Sequence, residues 1–169
     1  MTRDFIDDVM DQWRAQRPDL DPAPMGVLTR MTRIARRVTL HLEESLRKFG
    51  LQPAEFEVLC ALRRAGPPYE LTLREVGNWM LATGSTMTSR IDRLVDSGLI
   101  DRRQNPANRR TALLRLTRKG LRLVDKAIAA DLATERALIA GLGKADQRAL
   151  ADLLRRLCRS MGESADAPH

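Results

Sequence analysis

Residues 71–120 read LTLREVGNWM LATGSTMTSR IDRLVDSGLI DRRQNPANRR TALLRLTRKG. Thr72 with Glu75 three residues on is a capping box, which predicts a short helix over Thr72–Met80. From Thr83 to Gly98 the apolar residues Met87, Ile91, Leu94 and Val95 recur at i, i+4, i+7 and i+8, one face of a second helix. The opposite face carries Ser85, Ser89, Asp92, Arg93 and Asp96, with Thr86 beside them and Arg90 on the flank. Small hydroxyls and arginine near a helix N-terminus suit major-groove reading, because the helix can slide in close and hydroxyls meet a base edge or a phosphate. Gly98 stops this helix. Leu99–Arg103 and Thr111–Leu116 read as short strands, joined by Gln104–Arg110 with Asn105-Pro106 initiating the turn. Arg109 and Arg110 stand at its tip, where paired arginines exploit a narrow minor groove. The stretch holds ten Lys or Arg against four acids, a surplus of six in a chain whose net charge is +7. It reads as a DNA-binding head.

Outward from the head the pattern is helical. Met25–Lys48 carries an apolar stripe of Val27, Leu28, Met31, Ile34, Val38, Leu42 and Leu46, and Gly50 is placed to cap it. Pro53 opens the next helix at its first position, and Phe56, Val58, Leu59, Cys60, Ala61 and Leu62 make it apolar over most of its circumference, hence central and buried. On that helix Glu57 is expected to need a partner, since a lone buried carboxylate is costly. Gly66-Pro67-Pro68 ends it. After the head, Thr117–Ile139 and Ala145–Met161 are amphipathic helices separated by Gly141-Leu142-Gly143, and residues 162–169 read as a frayed tail. At the other end, Asp4–Gln16 has Phe5, Ile6, Val9 and Trp13 at helical spacing among aspartates, followed by a proline-rich turn. The first 24 residues carry three Arg against six Asp, so this arm is acidic where the head is basic. Two separated amphipathic ends are material for an intersubunit bundle.

The 169 residues, 43% apolar, suit one domain or one subunit of a compact dimer. A basic chain implies an anionic partner. No apolar run nears the roughly 18 residues of a membrane span, and the N-terminus lacks the apolar core of a signal peptide, so a cytoplasmic protein is expected. Cys60 and Cys158 lie in helical apolar patterns and read as buried, unbridged thiols. With two cysteines and two histidines (His41, His169), no metal site of ordinary spacing is expected. Phosphate-binding loops, a nucleophile elbow and carboxylate–histidine clusters are all missing from the sequence, so no enzyme and no cofactor is expected.

The helix over Thr72–Met80, the reading pattern over 83–97, the phrase D-R-L-V-D-S-G-L-I-D-R-R (92–103) and the closing L-T-R-K-G (116–120) resemble the MarR family of winged helix-turn-helix repressors. The resemblance covers about residues 25–160, with several motifs in order at the family's spacing. It implies a mainly α fold, a winged helix-turn-helix with a small β-wing, whose N- and C-terminal helices form a dimerisation bundle. It divides the chain into an extra helix and turn (1–24), scaffold helices (25–65), the winged head (66–120) and C-terminal dimerisation helices (121–169). The implied partners are double-stranded DNA and a second copy of the chain. Ser85, Thr86, Thr88, Ser89, Arg90, Arg93, Arg109 and Arg110 are the implied DNA contacts. One departure lies in the wing, where Asn105 and Asn108 stand in place of the family's two aspartates.

The extra helix bearing Trp13, followed by R-P-D-L-D-x-x-P-M-G-V (17–27), is similar to the urate-responsive HucR/PecS/MftR branch of that family. The resemblance implies an anionic aromatic ligand, urate or purine-like, held by Trp13, Glu57, Arg90 and Arg102; Glu57 is one methylene longer than the aspartate usual there. Plainer readings stand beside these. Trp13 packs the extra helix, Glu57 makes a structural salt bridge, Arg102 contacts only phosphate, and Arg93 pairs with Asp92 or Asp96. The sequence is also compatible with redox sensing through Cys60, with no small-molecule sensing, and with a less sequence-specific DNA-binding module.

Overall fold

A computed structural model of the chain describes residues 2–78, 85–106 and 108–162, with the side chains of 85, 86, 109 and 110 outside the description. In chain order the elements are α1 (Phe5–Gln16), α2 (Ala23–Arg47), α3 (Pro53–Arg64), β1 (Glu70–Thr72), α4 (Leu73–Asn78), α5 (Ser85–Asp96), β2 (Ile100–Asn105), β3 (Asn108–Leu116), α6 (Arg118–Leu138) and α7 (Lys144–Ser160). The chain forms two compact units, Met1–Leu42 and Glu43–His169, with α2 beginning in the first.

In the first unit the aspartates that make the arm acidic hold it together. Asp4 caps α1, its Oδ1 accepting from the amides of Ile6 (2.9 Å) and Asp7 (3.2 Å), while Asp7 Oδ2 accepts from the Asp4 amide (2.8 Å). Arg30 on α2 donates to Asp4 through Nε (2.9 Å) and Nη2 (2.7 Å) and to Asp7 through Nη2 (2.8 Å). Capping amides and this guanidinium hold both carboxyls below the usual carboxylate range. Met10 lies against Gly26, where an added Cβ would stand 3.1 Å from its Sδ.

The second unit is built around α3. Val58, Leu59 and Leu62 have no exposed surface, and Val76, Ile91, Leu94, Ile100, Leu114 and Val124 from the surrounding elements are at most 2% exposed. Each such aliphatic side chain contributes about 2 kcal/mol, so this cluster is what anchors the head. Thr72 and Glu75 form the expected capping box at the start of α4: Glu75 Oε2 accepts from the Thr72 amide (2.6 Å) and hydroxyl (2.7 Å), and these bonds lower the Glu75 pKa. Gly98 ends α5 at φ +68°, a conformation glycine adopts without strain.

The sheet differs from the two expected strands. A third, β1, pairs antiparallel with β3 in the order β1-β3-β2, with Glu70 opposite Arg115 and Thr72 opposite Leu113. Three residues are too few for alternation to be legible; β1 exists because β3 presents a free edge. The hairpin is also longer than expected, since β2 reaches Asn105 and β3 starts at Asn108, with a register shift at Gln104/Asn105. Gly120 explains the end of the L-T-R-K-G phrase. A Cβ there would lie 2.0 Å from the Leu99 carbonyl oxygen, so the first turn of α6 sits directly on the start of the wing. Thr117 caps that turn, its hydroxyl accepting from the Gly120 amide (3.0 Å) and donating to the Gly98 carbonyl (2.8 Å).

Candidate nucleic-acid interface

The periodicity of α5 becomes two chemically distinct faces. Met87, Ile91 and Leu94 are buried, while Thr88, Ser89, Asp92 and Arg93 are exposed. Packing on one face leaves hydroxyls and a guanidinium on the other, the composition a groove-reading helix needs. Ser85 and Thr86 belong to the backbone of α5, and Arg109 and Arg110 to that of β3, but their side chains lie outside the described residues.

The arginines of the head are organised by acids on other elements. Arg93 Nε donates to Glu55 Oε1 at 2.7 Å, so its partner is on α3 and not Asp92 or Asp96 within its own helix. Asp92 instead accepts from Arg102 Nη1 of β2 at 3.3 Å, which ties the reading helix to the wing. Arg103 reaches across β3 to Glu70 of β1, its Nη2 2.6 Å from Oε2. Sequence reasoning missed Glu55, Glu70 and Arg103 as members of this arrangement. A signal for Glu55 was present, because it stands three residues after Gln52 at the start of a helix opened by proline, and its Oε2 accepts from the Gln52 amide at 2.9 Å.

Arg90 is half-buried, and its Nη1 is a buried donor without a hydrogen-bond partner among the described residues. Such a donor is costly until an anion or a polar oxygen accepts from it.

The expected burial of Glu57 is corrected. Glu57 is exposed, and the buried acid of α3 is Glu55, 7% exposed. The residues flanking Glu57 are all apolar, so the helix phase was invisible; in the folded chain Glu55, Val58, Leu59 and Leu62 turn inward and Glu57 turns out. Glu57 lines a cavity of about 380 Å³ between α3 and α6, with Phe56, Cys60, Arg64 and Asp131 among its walls; neither Arg90 nor Arg102 lines it. Trp13 is 46% exposed and belongs to the first unit, whereas Glu57, Arg90 and Arg102 belong to the second. Burial pushes the Cys60 thiol up to about 11, and desolvation also raises the Asp131 carboxyl. Among the described residues no group of three or more His, Cys, Asp or Glu is arranged to hold a metal ion, and no helix is long and apolar enough to cross a membrane.

Comparison with known proteins places these features among regulators. A MarR family model matches residues 49–111, from the approach to α3 through the wing. The HTH-type transcriptional regulator PecS of Dickeya dadantii is 32% identical over 152 residues, spanning 90% of this chain and 92% of that protein. The wild-type MarR structure from Escherichia coli superposes with a TM-score of 0.66 at 25% identity, covering 77% of this chain and 96% of that one. A MarR family transcriptional regulator from Streptomyces coelicolor, solved in complex with DNA, superposes with a TM-score of 0.76 over 88% of this chain and 94% of that one; at 21% identity the likeness is one of fold.

Proposed function

The chain belongs to the MarR family and is a DNA-binding transcriptional regulator, and from that premise we propose that it is a homodimeric, cytoplasmic repressor released from its operator by an anionic aromatic metabolite, urate or purine-like. Each α5 enters a major groove with Ser85, Thr86, Thr88, Ser89, Arg90 and Arg93, and each wing places Arg109 and Arg110 in the flanking groove. Two-fold symmetry then calls for a pseudo-palindrome with half-sites about 34–36 Å apart. The second copy covers apolar side chains that the chain leaves open, among them Leu132, Leu150 and Leu153 on α6 and α7.

The observation that carries the reading is on α5. Its exposed face is polar, and Arg90 at its edge has a buried donor without a partner among the described residues. An anionic ligand satisfies that donor and draws Arg90 away from the geometry DNA requires. Ligand and DNA therefore favour different states of the dimer, and the ligand shifts the balance by its differential affinity. Arg102, on β2 of the same unit, is the second cation of the proposed ligand set.

The test is fluorescence anisotropy with a duplex from the chain's own promoter region, with urate, xanthine and other anionic aromatics titrated in. Urate or a related purine is expected to release the duplex, and Arg90→Ala to lose that response together with about tenfold of DNA affinity. An Arg90→Ala protein that binds normally and is still released removes the dual role. A melting temperature that no member of the panel shifts leaves Trp13 and Glu57 with structural roles only.

A further inference from the structure

The chain's carboxylates hold arginine in more than one way; Asp125, for one, takes Arg63 at Nε alone (2.7 Å). Asp19 takes Arg17 as a fork, Nε on Oδ1 (2.7 Å) and Nη2 on Oδ2 (2.6 Å). Glu70 takes both Nε (3.1 Å) and Nη2 (2.6 Å) of Arg103 on a single oxygen. Glu55 receives Arg93 through Nε, on Oε1 at 2.7 Å, while its Oε2 is occupied by the Gln52 amide at 2.9 Å. Arg93 is thus joined to Glu55 at one nitrogen, where Arg30 spans both oxygens of Asp4. Among the described residues Glu55 receives Arg93 at Nε, which leaves the donors of Nη1 and Nη2 for a further acceptor. The two partners are also unequal in exposure, the Glu55 side chain at 9% and that of Arg93 at 52%. The acid is fixed in the body of the head, and the arginine projects from it. Both line a cavity of about 440 Å³, so the guanidinium has open space beside it.

We propose that Glu55 is a positioning residue for DNA binding: from the first turn of α3 it holds Nε of Arg93, so that the outer guanidinium nitrogens meet a DNA phosphate in a fixed direction. An arginine loses rotamer freedom when it docks on a phosphate, and one already held at Nε loses less. The same bond joins α5 to α3, the most buried of the described helices. By simple charge, an acid beside a DNA-binding face weakens binding, so removing it without a positioning role strengthens the complex. The sign of the effect separates the two roles. The inference rests on the DNA-binding reading above.

The experiment uses full-length protein, the promoter duplex and an unrelated duplex, with anisotropy read at several salt concentrations. Glu55→Gln is expected to weaken promoter binding about tenfold. Arg93→Gln weakens it at least as much and lowers the salt slope by about one. The double variant binds within about twofold of Arg93→Gln alone, because Glu55 acts through Arg93. Arg93→Lys, which keeps the charge but has no Nε, reproduces the loss with Glu55 intact, and so decides the matter if Glu55→Gln fails to fold. Unchanged or tighter binding by Glu55→Gln, additive losses in the double variant, or wild-type affinity in Arg93→Lys overturns the proposal. If the unaltered protein binds neither duplex, the DNA-binding reading itself fails, and this one with it.

Discussion

Helices α3 and α7 are both amphipathic, and they end in opposite states. Of the twelve residues in α3, seven are buried; α7 has seventeen and none is buried, with Leu150 42% and Leu153 58% exposed. Sequence pattern makes a stripe, but only a facing surface buries it. For α3 that surface comes from α5, α6 and the sheet within the same chain, so the head is complete in one copy. For α7 the described chain supplies no such surface, and its stripe is matched by the proposed second copy. The head buries its stripe within one chain, and the α7 end, on the proposed dimer, meets its partner in the second copy.

Three changes probe that contrast, beginning with the largest effect. Leu59→Ala, at a position without exposed surface, is expected to cost the head about 3 kcal/mol through lost burial and the cavity left behind. Chemical denaturation followed by circular dichroism reads it. Leu153→Arg leaves the head folded and, on the proposed dimer, removes assembly: sedimentation equilibrium should then report a single chain of 19.0 kDa, and DNA affinity should fall about a hundredfold as one half-site is lost. A Leu153→Arg protein that keeps twice that mass moves the interface off α7 and ends the comparison as drawn. The smallest effect concerns the thiol on α3. With Cys158→Ser as background, Cys60 should react with iodoacetamide about a hundredfold more slowly at pH 8 than a small thiol, speeding up only as pH climbs toward its raised value near 11. The direction follows from burial, which disfavours the thiolate. Ordinary reactivity at neutral pH would instead favour redox sensing through Cys60.

Much of the head was legible in the sequence because its signals are local. The Thr72/Glu75 box, the apolar face of α5 at Met87, Ile91 and Leu94, and the Gly98 stop each lie within a few residues of what they determine, and each is where the pattern puts it. The candidate site was less legible. Arg93 had two acids near it in sequence and bonds a third, 38 residues away, on a helix whose apolar run concealed its phase. The same run concealed that Glu57 faces outward. Strand β1 escaped because three residues carry no period of their own.

What the sequence by itself determined is the order of the helices and of the β2–β3 hairpin, the basic character of the head and the polar face of α5, since hydrogen-bonded turns, caps and side-chain period are properties of neighbouring residues. What only the tertiary structure decided is the pairing of charge. Arg93 with Glu55, Arg102 with Asp92, Arg103 with Glu70 and Arg30 with Asp4 and Asp7 each join two elements. A long side chain reaches several acids, and which one it meets depends on how the elements rotate as their apolar faces close. The packing of α3 places Glu55 inside and Glu57 outside, and so determines which carboxylate holds the arginine of the reading helix.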